Sequence, residues 1–170
     1  MDIQQFGKTS QPIPQESVIS LYKDLSPHYS EEEIEQTIKE FRVWQLRPWK
    51  KELANRAIFW YVGNYLPYDH PSHQFTNHGR TQKLIEVARN WSSISQNFPD
   101  SYYVNNIRDF MKALEMNVSL PPLIAIRGRI NKTVHILDGN TRALSAEILR
   151  LERPGFMPQL EVYMGRKSIF

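Results

Sequence analysis

The chain has 170 residues, 41% hydrophobic and 23% charged, the balance of a globular protein with a core of its own. It contains no cysteine, which excludes disulfide scaffolds, thiol nucleophiles and cysteine-ligated zinc. A net charge of +3 permits nucleic acid as a partner without arguing for it. No apolar run approaches the length of a membrane span. The polar stretch Met1 to Pro14 has no signal-peptide core, so a cytoplasmic protein with no membrane partner is expected.

Residues 1–14 read as a loose arm, and Glu16 to Leu25 as a short helix stopped at Ser26-Pro27. Ser30 and Glu33 form a capping-box pattern, with three glutamates in the first turn. Ile34, Ile38 and Phe41 give the helix that follows one apolar face, ending before Pro48. Pro48 opens another predicted helix, with Leu53, Ala57, Trp60 and Tyr61 buried and Gly63 closing it. Residues 64–79 are a long loop without periodicity. Thr81 to Trp91 returns to helix, and Ser92 to Asp100 is a polar connector.

A boundary is expected near residue 100, between a helical region (1–100) and a second domain (101–170). Ile107, Phe110, Met111 and Leu114 mark an amphipathic helix that Asn117 can close. Leu123 to Ile126 reads as a strand buried on both faces, and Thr133 to Leu137 as a second strand. A helix then runs to about Leu151, and Leu160 to Met164 is a third strand. The fold class is therefore α+β: a helical N-terminal region packed on a small mixed sheet.

The chemistry concentrates at Asp138-Gly139-Asn140-Thr141-Arg142, a tight turn between strand and helix. Gly139 can take a positive φ and Asn140 can cap the helix. The first-turn amides then face an anion, which the helix dipole favours. Arg142 brings a fork suited to phosphate, and Thr141 a hydroxyl. Asp138 fits as a ligand for a divalent cation, as a partner for Arg142, or as a proton acceptor. An ordinary turn with a solvated arginine is the alternative.

With its flanking strands, the segment Val134 to Ala146 resembles the ParB/sulfiredoxin superfamily domain, a likeness covering roughly residues 102–166. The resemblance implies a Gly-x-x-Arg turn holding nucleotide phosphates, matched here by Gly139 and Arg142. It departs from the partition proteins at Asn140 and Thr141, and from sulfiredoxins at Asn140, where their cysteine stands. The serine-kinase-like branch shares Asp138, Gly139 and Arg142, but its upstream glutamate has no clear counterpart. The expectation is a protein that binds ATP or another nucleotide and hydrolyses it or transfers a phosphoryl group to a small hydroxyl-bearing substrate, with Mg²⁺. In this reading Asp138 and Arg142 are catalytic. Gly139, Asn140, Thr141, Arg142 and Arg80 hold the nucleotide, and Asp138 holds the metal.

Two other expectations stand beside it: a nucleic-acid-associated accessory protein or nuclease, and a non-catalytic interaction protein on the same fold. Arg127, Arg129, Lys132, Arg166 and Lys167 are cations that could track a nucleic-acid backbone or simply form a solvated face. Asp69, His70, His73 and His78 read as solvated loop residues, a metal site or a lid, and Arg80 lies at a second helix entry. Trp44, Trp49, Trp60 and Trp91 read as core.

Overall fold

The apolar run Leu123-Ile124-Ala125 is fully buried, as expected of a strand covered on both faces. The computed structural model describes residues 11–59, 82–128 and 132–167. Its strands are β1 (Gln11–Ile13), β2 (Phe41–Pro48), β3 (Ala57–Phe59), β4 (Gln82–Lys83), β5 (Leu123–Arg127), β6 (Val134–Asp138) and β7 (Glu161–Lys167). Its helices are α1 (Gln15–Leu25), α2 (Glu31–Ile38), α3 (Lys51–Ala54), α4 (Leu84–Arg89), α5 (Trp91–Asn97), α6 (Tyr102–Glu115) and α7 (Asn140–Glu152).

The seven strands make one sheet in the order β1-β2-β7-β5-β6-β3-β4. The pairs β5–β7 and β3–β6 are parallel and the others antiparallel, so the sheet is mixed and the expected α+β class holds.

Side chains alternate across a strand, so each face of the sheet feeds its own core. Leu123, Ala125, Val134, Ile136, Val162 and Met164 pack with residues of α4, α5, α6 and α7. Ile124 and Trp44 point the other way and pack with Val18 and Tyr22 of α1 and Ile34 and Ile38 of α2. Burying one such aliphatic side chain contributes roughly 1.5–3 kcal/mol. Trp44 needs room: a Cβ at its cross-strand partner Gly165 would sit 2.7 Å from its ring.

The α6-β5-β6-α7-β7 unit follows the predicted order. The Ser30–Glu33 capping box forms, with bonds of 2.7 and 3.2 Å, and Asn117 is left-handed at φ 54. The first hundred residues differ from expectation. The helix of Ile34 and Ile38 ends there, and Phe41–Pro48 is a strand instead of its last turns. Arg42-Val43-Trp44-Gln45-Leu46 suits a pleated strand, and a bulge between Phe41 and Val43 resets its alternation. Pro48 closes this strand beyond the residues that pair with β1, where its missing N–H breaks no ladder bond to that neighbour. The helix predicted from Pro48 is only the four residues of α3, followed by β3. Residues 92–97, read as connector, belong to helix α5 (Trp91–Asn97). Strands from both sides of residue 100 share the one sheet.

The loop at 64–79 with Asp69, His70, His73 and His78 lies outside the described residues, as do Trp60, Tyr61, Gly63, Arg80 and Arg129.

Candidate functional site

Strand β6 delivers the turn. Val134 and Ile136 anchor it in one core and Leu137 leans on the other. Gly139 follows at φ 90, ψ 21, in the left-handed region. A Cβ there would lie 2.5 Å from Leu123 Cδ2 and 2.7 Å from an Arg142 guanidinium nitrogen, so both conformation and space require glycine. Gly139, and not Asn140, is the N-cap of α7, and its carbonyl accepts the first helical bond from Ala143 N at 2.9 Å. The expected donor set therefore moves back by one residue. As a glycine, the N-cap contributes no side-chain cap to the helix. The amides of Thr141 and Arg142 belong to the first turn and have no acceptor within it. Thr141 is half-buried at the helix mouth.

The two charges of the turn are paired with each other. Arg142, only 8% exposed, donates to Asp138 Oδ2 at 2.7 Å and reaches Pro122 O at 3.4 Å. Arg142 Nε is buried and meets no partner among the described residues. The second carboxylate oxygen, Asp138 Oδ1, accepts from Ser26 Oγ at 3.0 Å. Of the three roles open to Asp138, the geometry displays the one in which it orients Arg142. Behind the helix start, Ser145 Oγ lies 2.8 Å from Thr141 O and 3.1 Å from Ile107 O, which ties the first turn of α7 to α6.

Ser26 and Tyr22 are site residues the sequence did not reveal. The Tyr22 hydroxyl lies 3.5 Å from Leu137 O. Burial, then the neighbouring Tyr29 and Asp138, push its pKa up to about 12. Tyr29 stands edge-on to Tyr22 with ring centres 6.1 Å apart, and His28 leans on Tyr29 at 4.3 Å. The C-terminal end of α1 is thus a wall beside the turn. Ser26-Pro27 signalled only a helix stop, and nothing local marks its pairing with a residue 112 positions away.

Further along α7, Glu147 is 1% exposed. It accepts from Trp49 Nε1 at 3.1 Å and pairs with Arg150, which also donates to Trp49 O at 2.7 Å. Burial pushes the Glu147 carboxyl above its ordinary value, against the opposing pull of Arg150 and Trp49. This cluster fastens α7 to the end of β2.

Among the described residues no group of three or more His, Asp or Glu side chains is placed to hold a metal ion, and no helix is long and apolar enough to cross a membrane. Comparison with protein-family models, with curated proteins and with solved structures finds no match to this chain.

Proposed function

We propose that this chain binds a nucleotide, with ATP the first candidate, through its phosphates at the β6–α7 turn. One observation carries the reading: a 13-residue helix begins at a left-handed glycine with no side-chain cap, above a buried arginine. Such a helix start offers backbone donors and a favourable dipole to an anion. The likeness of Val134–Ala146 to the ParB/sulfiredoxin turn supports the same ligand.

In this reading the amides of Thr141 and Arg142, with the Thr141 hydroxyl, donate to phosphate oxygens, and Asn140 lies beside them. Gly139 lets the phosphate approach the backbone. The Arg142 guanidinium holds the turn from below. Its charge is balanced by Asp138, so the amides and the dipole supply most of the attraction. The reaction would be ATP hydrolysis, or phosphoryl transfer to a small hydroxyl-bearing substrate. Asp138 is the carboxylate at hand, with Ser26 and Arg142 each engaging one of its oxygens. Mg²⁺ arriving with the nucleotide would find Asp138 as its carboxylate at this turn and take its other ligands from phosphate and water. No step is assigned to a metal.

The test is a thermal-unfolding panel of ATP, ADP, CTP and GTP, each with and without Mg²⁺. A ligand of the native state raises the midpoint. At least one nucleotide should do so, and no rise with any of them sinks the proposal. Thr141→Glu is the companion variant. A carboxylate in the first turn suits the helix dipole, so the free protein should unfold no earlier than wild type. The same carboxylate repels phosphate, so the nucleotide-induced rise should vanish.

A further inference from the structure

The end of β6 remote from Asp138 carries a different arrangement. Arg127, the last residue of β5, pairs with Val134 at the start of β6, while Asp138 pairs with Ile124. One strand over, Ile126 pairs with Gly165, which sets Arg127 beside Arg166 on the same face of the sheet. On the other side, Val134 pairs with Ala57, and Arg56 immediately precedes it. Lys132 lies two residues before Val134 and is exposed. Arg127 and Arg166 stand on neighbouring strands about 4.8 Å apart, and Arg56 and Lys132 come just before β3 and β6, so the four cations line one end of the sheet over roughly 15 Å.

Among the described residues this row is not neutralised. No ion pair among the described residues involves Arg56, Arg127 or Arg166. Lys167, by contrast, is taken up by Glu40. Burial lowers the Arg127 pKa from its ordinary value, and the charges of Arg166 and Arg56 lower it further, so Arg127 is repelled from both sides. Arg166 Nε is buried and finds no acceptor among the described residues. Arg47 NH1 is also buried without a partner among the described residues, but Arg47 pairs with Val162, roughly 13 Å along β7 from Arg166, and stands apart from this row. Guanidinium groups held together without acceptors or counter-charge lack partners that a ligand rich in anionic oxygens supplies. A row, unlike a convergent cluster, suits phosphates spaced along a chain.

We propose that this end of the sheet, with Arg127, Arg166, Arg56 and Lys132 as its contacts, binds the phosphodiester backbone of a nucleic acid. The surface is separate from the Asp138 turn and does not depend on nucleotide binding there. Such contacts are sequence-independent and salt-sensitive, because each neutralised phosphate releases counterions.

The test is fluorescence anisotropy with labelled oligonucleotides of about 20 residues, single-stranded DNA and RNA in two arms and duplex DNA in a third, at salt from about 50 to about 200 mM. Four phosphate contacts on a single strand give a slope near −3 in log affinity against log salt, so binding should weaken roughly 50-fold over that range. The double variant Arg127→Gln with Arg166→Gln should bind at least about 10-fold more weakly at low salt and lose about half of the slope. Arg56→Gln with Lys132→Gln touches two exposed side chains and should weaken binding in the same direction if the first variant fails to fold. Thr141→Glu, at the other end of β6, should leave oligonucleotide binding unchanged. The arm that binds most tightly identifies the form recognised. No binding in any arm at low salt overturns the proposal, and so do folded arginine variants that bind like wild type. Binding to anionic vesicles but to no oligonucleotide overturns it as well.

Discussion

At the Asp138 end of β6, Asp138 and Arg142 are 2.7 Å apart, and the remaining carboxylate oxygen is held by Ser26. At the Val134 end, four residues away, Arg127 faces Arg166 and Arg56, and none of the three has an ion-pair partner among the described residues. The first arrangement satisfies its own charges and fixes a backbone shape. The second holds charge in reserve. A site that works through backbone amides needs its turn locked, because the donors act only in one geometry. A surface that works through side-chain charge needs those charges unspent. On this view the turn is where stability and binding are coupled, and the arginine row is where they are opposed.

The comparison breaks most easily at Gly139. Gly139→Val forces a β-branched residue into a left-handed conformation and drives its side chain into Leu123 and Arg142. A loss of about 3 kcal/mol in denaturant unfolding is expected. A loss below about 1 kcal/mol would show that the turn is not locked.

Next in size is Asp138→Ala, which strands a largely buried guanidinium. We expect a loss of about 2 kcal/mol, less than for a fully buried pair because both side chains keep some solvent contact. Combining it with Arg142→Met should cost less than the two single variants summed, as coupled partners do. Strict additivity would mean that the pair does not hold the turn.

Glu147 sharpens the comparison through pH. Its folded carboxyl is raised above the ordinary 4.5 by burial, so the folded state binds the proton more tightly than the unfolded chain. Its contribution is then fully present below pH 4.5 and is lost as pH rises through the raised value. Wild type should therefore lose stability relative to Glu147→Gln over that window. An opposite trend would mean that Arg150 and Trp49 outweigh burial.

The smallest effect belongs to the arginine row. Arg127→Gln removes a like-charge contact and should raise stability by about 0.5 kcal/mol in low salt, less in high salt. A decrease would reveal a counter-charge that the described residues do not include.

Much of the fold was legible where its signals are local. Leu123–Arg127, Val134–Asp138 and the α7 pattern are periodic or continuous within single elements, and Ser30 and Glu33 lie three residues apart. Strand β2 was not legible as a strand. Phe41 continues the helical spacing of Ile34 and Ile38, and the partner that decides the matter, β7, lies more than a hundred residues ahead. Long-range pairing overrode local propensity.

The turn was half legible. Asp138 and Arg142 are four residues apart across a helix start, a spacing that permits the pair, and a partner for Arg142 was among the roles open to Asp138. The sequence could not show that the guanidinium folds beneath Gly139. Nor could it show that the helix starts at the glycine and leaves Asn140 as its first residue. Three of the row's cations, Arg127, Arg166 and Lys132, stood out as a basic group. Arg56 joins them only through the parallel pairing of β3 with β6.

The most direct measurement is amide chemical-shift mapping of ¹⁵N-labelled protein titrated with ATP. The account predicts that the largest shifts fall on the backbone N–H groups of Thr141 and Arg142, with Asn140 beside them, and that Thr141→Glu erases them. Shifts centred anywhere else, or none at saturating nucleotide, would contradict a phosphate site at the β6–α7 turn.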